Sequence, residues 1–263
     1  MEFLKSVRRR GVIPQVFHIL FNLIYVALLV GLVAVFGDTP WPAIVLVLIS
    51  KWRVIAVRPR YWLTNLRANL VDLNLGLGVA LILWSVGASE PILLGVIGVL
   101  YAAWLIFLKP RGGRLAVVLQ SGISQLIGLW ALLSIGHLLW LPLVVILAFA
   151  VGYGAAWHIL ADSEEKDSRL LALCWGLVVG ELGFVAWHWT IGYQIVANLA
   201  LPQMALIVTA IGFVVWQAYQ SYRKRGRVKW ADIQWPLLFA AALILLLTLG
   251  FGGLFDSSQL QFS

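Results

Sequence analysis

The chain has 263 residues, of which 62% are hydrophobic and only 11% charged, and its mean hydropathy is +0.95. A soluble domain carries about 25% charged residues, so a water-soluble globular fold is excluded and lipid is the solvent for most of the chain. The net charge of +8 does not call for nucleic acid, because basic residues gathered between apolar runs orient a membrane protein.

Met1–Arg10 is charged and precedes an apolar stretch, as in a signal peptide. The run 16–36 is longer than the roughly 7–15 residues of a signal core, and it ends in a Gly37-Asp38-Thr39-Pro40 turn rather than a cleavage site. It reads as an uncleaved first helix. Further apolar runs follow at 41–57, 69–87, 91–108, 115–136, 138–160, 170–189, 193–219 and 235–254. Each is near the roughly 20 residues that cross a bilayer, and each is continuously apolar rather than alternating, which predicts helices and not barrel strands. The run 41–57 is the least clean, because Lys51 and Arg53 fall near its inner end and must snorkel. The expected fold is all-α: a polytopic bundle of about nine transmembrane helices, forming one integral membrane domain over 1–263.

The connections are of two kinds. Met1–Arg10, Lys51–Arg67, Lys109–Arg114, Lys166–Arg169 and Arg223–Lys229 are basic. Gly37–Pro40, Gly87–Glu90, Gly136–His137, Thr190–Gly192 and the tail after Gly252 contain no Lys or Arg. With nine crossings the two kinds alternate, and all 19 basic residues fall on one side. The positive-inside rule makes that side cytoplasmic, with the N-terminus inside and the C-terminus external. A prokaryotic plasma membrane is the expected location. Tryptophans such as Trp41, Trp62, Trp140, Trp189 and Trp235 stand near the expected helix ends, at headgroup level.

No phosphate-binding Gly-Lys-Ser/Thr loop, no histidine pair at metal-ligand spacing and no serine elbow is present. Cys174, the only cysteine, excludes an intramolecular disulfide and a cysteine-rich metal site. Nothing calls for a metal or cofactor, and the balance is away from an enzyme.

Glu181 stands eleven residues inside Leu170, roughly 16 Å deep and near the midplane. A carboxylate there costs about 2.5–3.5 kcal/mol, and it is a functional candidate by default. Gly176, Gly180 and Gly183 follow one face of the same run and Glu181 lies on another, which points to protein on both sides and a central helix. His188 lies two turns outward on the Glu181 face. Ser121, Ser124, Gln125 and Gly128 form a stripe flanked by Gln120, able to line a cavity or to hydrogen-bond neighbouring helices. Asn198, Pro202 and Gln203 suggest a kink in the run 193–219. Asp72 is expected to pair with Arg58, Arg60 or Arg67. Those arginines, interleaved with Tyr61 and Trp62, are candidate contacts for anionic lipid.

Three classes of function remain. The first is a small transporter or channel component, with Glu181, His188, Gln125, Ser121 and Asn198 along its path. The second is a structural or assembly subunit of a membrane complex. The third is an enzyme acting on a lipid-linked substrate near Arg58, Arg60, Asp72 and Arg114. Expected partners are the bilayer, anionic lipids at its cytoplasmic face and other membrane proteins, but not nucleic acid.

Overall fold

Among the described residues eight helices are long and apolar enough to cross a membrane, and a shorter apolar helix accompanies them. The computed structural model describes residues 12–250, apart from 190, 197 and 198. The helices are α1 (Val12–Val35), α2 (Trp41–Ser50), α3 (Trp52–Ile55), α4 (Trp62–Val86), α5 (Pro91–Ala103), α6 (Arg114–Ser134), α7 (Leu141–Asp162), α8 (Ser168–His188), α9 (Gln203–Arg225) and α10 (Trp230–Leu245). A π turn at Trp104–Leu108 continues α5, and another at Leu246–Gly250 continues α10.

Local chemistry fixes the ends. Proline occupies the first turn of α2, α5 and α7, where its missing N–H costs nothing. Gly87 and Gly226 close α4 and α9 at φ of 75° and 68°, a backbone conformation that a side chain would strain.

Among the described residues three packed regions make up the interior, the smallest of them formed by Tyr153, Leu160 and Ala172 where α7 meets α8. Leu29, Val47, Leu83 and Leu199 join α1, α2 and α4 to the segment before α9, while Leu129, Val144, Val179 and Ala205 join α6, α7, α8 and α9. The helix pairs α4–α6 and α6–α7 form the middle, α8 packs chiefly on α7, and α10 packs chiefly on α9. The run expected to be the central helix is therefore peripheral. Its small residues bring it so close to α7 that one face suffices: ideal Cβ atoms on Gly176 and Gly183 would lie 2.9 Å from Phe149 and 2.6 Å from Ala148.

The run 193–219 is not one helix. Gly192–Val196 and Leu199–Pro202 pair as antiparallel strands β1 and β2, and α9 starts only at Gln203. Tyr193, Ile195 and Val196 favour extended backbone, and Pro202 caps α9 rather than kinking it. Strand backbone within an apolar bundle needs protein donors. Trp130 Nε1 and Ser134 Oγ supply them, donating to the Ala200 carbonyl at 2.9 and 3.1 Å.

Although α2 has only 10 residues, it links opposite ends of the bundle. An ideal Cβ on Gly37, before α2, would lie 3.9 Å from the Ala88 Cβ after α4. Lys51, after α2, pairs instead with Asp72 in the first half of α4 and joins Lys109 there. Asp72 sits ten residues inside Trp62, about 15 Å along the helix, so the short α2 has less distance to cover.

Candidate functional site

The polar stripe of α6 is engaged in packing. Ser121 donates to the Ala155 carbonyl at 2.6 Å and Ser124 to the Val71 carbonyl at 2.9 Å. Gln125 accepts from Trp175 Nε1 at 2.9 Å and donates to the Val208 carbonyl at 3.4 Å. Gln120 Nε2 donates to the Leu108 and Arg111 carbonyls, while its Oε1 lies 2.9 Å from His158 Nε2. One helix thus fastens α4, α7, α8, α9 and the segment after α5. In hydrocarbon an unpaired group of this kind would cost several kcal/mol, which explains why the stripe is so fully paired.

Beside the stripe lies a cleft of about 620 Å³ between α6, α7, α8, α9 and α10. Its walls are largely apolar and include Leu119, Ile159, Phe213, Trp216 and Phe239. Four of the polar side chains that border it are engaged elsewhere. Ser121 and Gln125 bond to neighbouring helices, Thr209 donates to the Ala205 carbonyl and Tyr219 donates to Glu165. The cleft therefore suits hydrocarbon better than an ion with its water.

A second pocket of about 360 Å³ is lined by Arg114, Asp162, Ser163, Gln220, Arg223 and Lys224. Helical spacing relates it to the cleft. Arg114 shares a face of α6 with Val118, Ser121 and Gln125, and Gln220 shares a face of α9 with Trp216, Phe213 and Thr209. Asp162 likewise continues the α7 face of Ile159 and Ala155. Helical spacing therefore puts the pocket about one turn beyond the apolar cleft on these three helices, and the axial distance from Arg114 to Gln125 is about 16 Å, one leaflet of hydrocarbon.

Hydrogen bonds set the pocket's shape. Arg114 donates to Gln220 Oε1, and Arg223 donates to the Ser163 carbonyl with its Nε 3.9 Å from Glu165. Glu165 also accepts from Tyr219. That hydrogen bond, reinforced by the Arg223 guanidinium, holds the Glu165 carboxyl below its ordinary 4.5. Gln220 is buried, 8% exposed, and its Nε2 has no hydrogen-bond partner among the described residues.

The residues expected from sequence are only partly brought together. Ser121 and Gln125 border the cleft. Glu181 lies on the exposed side of α8, seven residues beyond the cleft-lining Cys174 on the same face, and forms no hydrogen bond or ion pair with another described residue. His188 is exposed too, with Nδ1 2.9 Å from the Phe184 carbonyl of its own helix. Asn198 lies outside the described residues. Arg58 is exposed, the Arg60 guanidinium lies 4.6 Å from the Tyr61 ring centre, and that of Arg67 lies 5.8 Å from the Trp157 ring centre.

Asp72 pairs with none of these arginines. It lies 3.0 Å from Lys51 Nζ and 2.8 Å from Lys109 Nζ, because the helices bearing those lysines end beside α4 at its depth. Arg67, only five residues earlier, occupies a different face of α4. Among the described residues no three His, Cys, Asp or Glu side chains gather as a metal site. The basic pocket was not singled out from sequence: Arg114 read there as one of several groups at the inner interface, with Arg58, Arg60 and Asp72, while Arg223 and Lys224 read as orientation signals. The available clue was Arg114 standing one turn beyond the Val118–Ser121–Gln125 face. Comparison with known proteins gives no match: no family model fits the sequence, and neither a curated protein nor a solved structure matches it significantly.

Proposed function

We propose that this integral membrane protein takes the hydrocarbon chain of a bilayer amphiphile into the cleft between α6 and α10, as the first step of moving that amphiphile or presenting it for chemistry. The observation that carries this reading is the cleft itself, whose walls are largely apolar and whose Ser121, Gln125, Thr209 and Tyr219 side chains are bound elsewhere. Its volume of about 620 Å³ falls within the roughly 300–1,000 Å³ typical of ligand pockets. An aqueous transport path through Glu181 gains less support, because Glu181 does not line the cleft and the α6 stripe is occupied in packing.

The proposed orientation places the basic end in the cytoplasm of a prokaryotic cell, with α2 and α3 as a ninth crossing, the N-terminus inside and the C-terminus outside. It is supported by the side chains that tie the basic segments together: Lys51 and Lys109 through Asp72, Arg114 to α9, and Arg223 to the α7–α8 turn. The cleft then opens towards the inner leaflet.

Gly122 supplies the test. It borders the cleft, and an ideal Cβ there meets nothing within 4 Å. Gly122→Phe should fill the cleft without disturbing the helices. Full-length protein purified in mild detergent and examined by native mass spectrometry should retain lipid, and Gly122→Phe should lose it while melting normally. Equal lipid retention by the two proteins would defeat the cleft reading.

A second reading, assembly with another membrane chain, is favoured by Glu181. An exposed carboxyl group near mid-bilayer costs about 2.5–3.5 kcal/mol on insertion scales, and a companion helix offering a hydrogen-bond donor would offset that cost. Cys174, Leu177, Val178, Glu181 and Val185 form a continuous exposed face suited to such a helix.

A further inference from the structure

We infer, resting on the cleft reading above, that the amphiphile carries a phosphate headgroup, held by Arg114, Gln220, Arg223 and Lys224 in the pocket at the cytoplasmic end of the cleft. Three cations and one carboxylate, Asp162, line that pocket, so its balance is positive. Positive charge alone would describe any basic loop. What distinguishes this site is Gln220, buried among the cations, with one amide atom fixed by Arg114 and the other, Nε2, left as a donor without an acceptor. A buried donor in that state is costly, and a phosphate oxygen is an acceptor that would satisfy it.

The helix termini add to the argument. The 21-residue α6 begins at Arg114, which lines the pocket, with no side-chain cap, so the positive end of its dipole lies on that side of the site. The opposing negative end of α9 is offset by Arg223, Lys224 and Arg225 in its last turn. Arg223 is partly occupied by Ser163 and Glu165, which fixes its position at the rim; Lys224 is exposed at the end of a flexible stem.

The geometry matches an amphiphile better than a free anion. The basic pocket and the apolar cleft continue the same faces of α6, α7 and α9, so a headgroup bound at Arg114 would direct its chain along Val118, Ser121 and Gln125. That path is about 16 Å long, the depth of one leaflet. A lipid entering sideways from the inner leaflet would keep its phosphate at headgroup level throughout.

The experiment compares phosphatidic acid with diacylglycerol of the same chains, which differ only in the phosphate. Binding to full-length protein in neutral detergent micelles is measured for wild type, Arg114→Gln/Lys224→Gln, Arg114→Lys and Gly122→Phe, with melting recorded for each. Wild type should prefer phosphatidic acid. Each basic residue at such a surface is worth about fivefold in affinity, so the double variant should lose about 30-fold for phosphatidic acid and nothing for diacylglycerol. Arg114→Lys should keep most of the preference. If the double variant does not fold, Lys224→Gln alone should still lose about fivefold, since that side chain is exposed.

Equal wild-type affinity for the two lipids, or an undiminished preference in a folded charge variant, would overturn the headgroup inference while leaving the cleft reading intact. Inorganic phosphate binding as tightly as phosphatidic acid would mark a free-anion pocket and overturn the lipid assignment. Loss of both lipids in Gly122→Phe supports the coupled site. Full binding of both lipids by that variant would sink the cleft reading, and this inference with it.

Discussion

Moving one methyl group across the α7–α8 seam should change stability in a way that tests the packing directly. An ideal Cβ on Gly183 lies 2.6 Å from the Ala148 Cβ and meets no other atom within 4 Å. Carbon atoms rest about 3.5–4.0 Å apart, so Gly183→Ala must open the seam locally by about 0.9 Å or more. Overpacking of this kind costs about 1–3 kcal/mol, from which a glycine-to-alanine gain of about 0.5–1 kcal/mol in helix propensity is subtracted. The net loss should be about 0–2.5 kcal/mol. Ala148→Gly alone should lose about 0.5–1 kcal/mol of propensity. The double variant keeps both the methyl count and the glycine count, so it should return close to wild type. Its coupling energy is then about 1–3 kcal/mol, where independent sites would give none. Reversible unfolding in mixed micelles measures all four proteins. Gly122→Ala is the control: with open space around its Cβ, it should gain about 0.5–1 kcal/mol. Additive losses in the double variant, or equal effects at Gly183 and Gly122, would refute the account of α8 as held by backbone approach.

Reporter fusions after Pro40, Glu90, His137 and Thr190 should read as external, and those after Arg60, Arg111, Glu165 and Arg225 as cytoplasmic; two successive sites on one side would break the nine-crossing topology. Acidification should loosen the tie between α9 and the α7–α8 turn. The folded Glu165 carboxyl titrates below its ordinary 4.5, so its contribution is complete above that value and is lost as pH falls through the folded one. Hydrogen exchange at 163–168 should rise over that range in wild type and be high, with little pH dependence, in Tyr219→Phe; flat wild-type exchange would count against the contact. If the exposed face of α8 meets another chain through Glu181, Glu181→Leu should weaken that association in bilayer energy-transfer measurements and Glu181→Gln should largely preserve it. Unaltered association in both variants would leave Glu181 without a role in assembly.

The membrane-crossing helices were legible because their signal is simple: long apolar runs, punctuated by Pro, Gly and charge, need no partner to be recognised. Tight packing along Gly176, Gly180 and Gly183 was legible too, because in lipid a repeated small residue has few uses other than close approach. What escaped the sequence depends on which helix lies next to which. Asp72 had three plausible arginine partners nearby in the chain, and its actual lysines come from the ends of two other helices. The strands Gly192–Val196 and Leu199–Pro202 are as apolar as a helix, and their extended form is made tolerable by their mutual pairing and by the donors on Trp130 and Ser134, some 66–70 residues away. The glycine seam revealed that α8 has one tight face, but not that its opposite face is exposed.

The same distinction separates Glu181 from Gln220. In an apolar chain every polar side chain looks significant, because inserting it costs energy whatever its purpose. Once neighbours are known, most of that cost is accounted for: Ser121, Ser124 and Gln125 bond to other helices, and Gln120 holds the turn after α5. The informative atoms are those left over. Among the described residues, buried donors without partners remain on Asn74, Trp104 and Gln220. Asn74 Nδ2 stands close beside Gly154, at 3.1 Å from where a Cβ would be, and Trp104 belongs to the packed region around α1, α4 and α5. Gln220 alone of the three lines the pocket with Arg114, Arg223 and Lys224, at the end of a cleft whose walls suit hydrocarbon. A surplus donor surrounded by cations calls for an anionic acceptor, and an apolar cleft continuing from it calls for a chain attached to that acceptor. Glu181 lacks this convergence: its carboxyl group is isolated on an exposed helix face, where a companion chain is the simpler explanation.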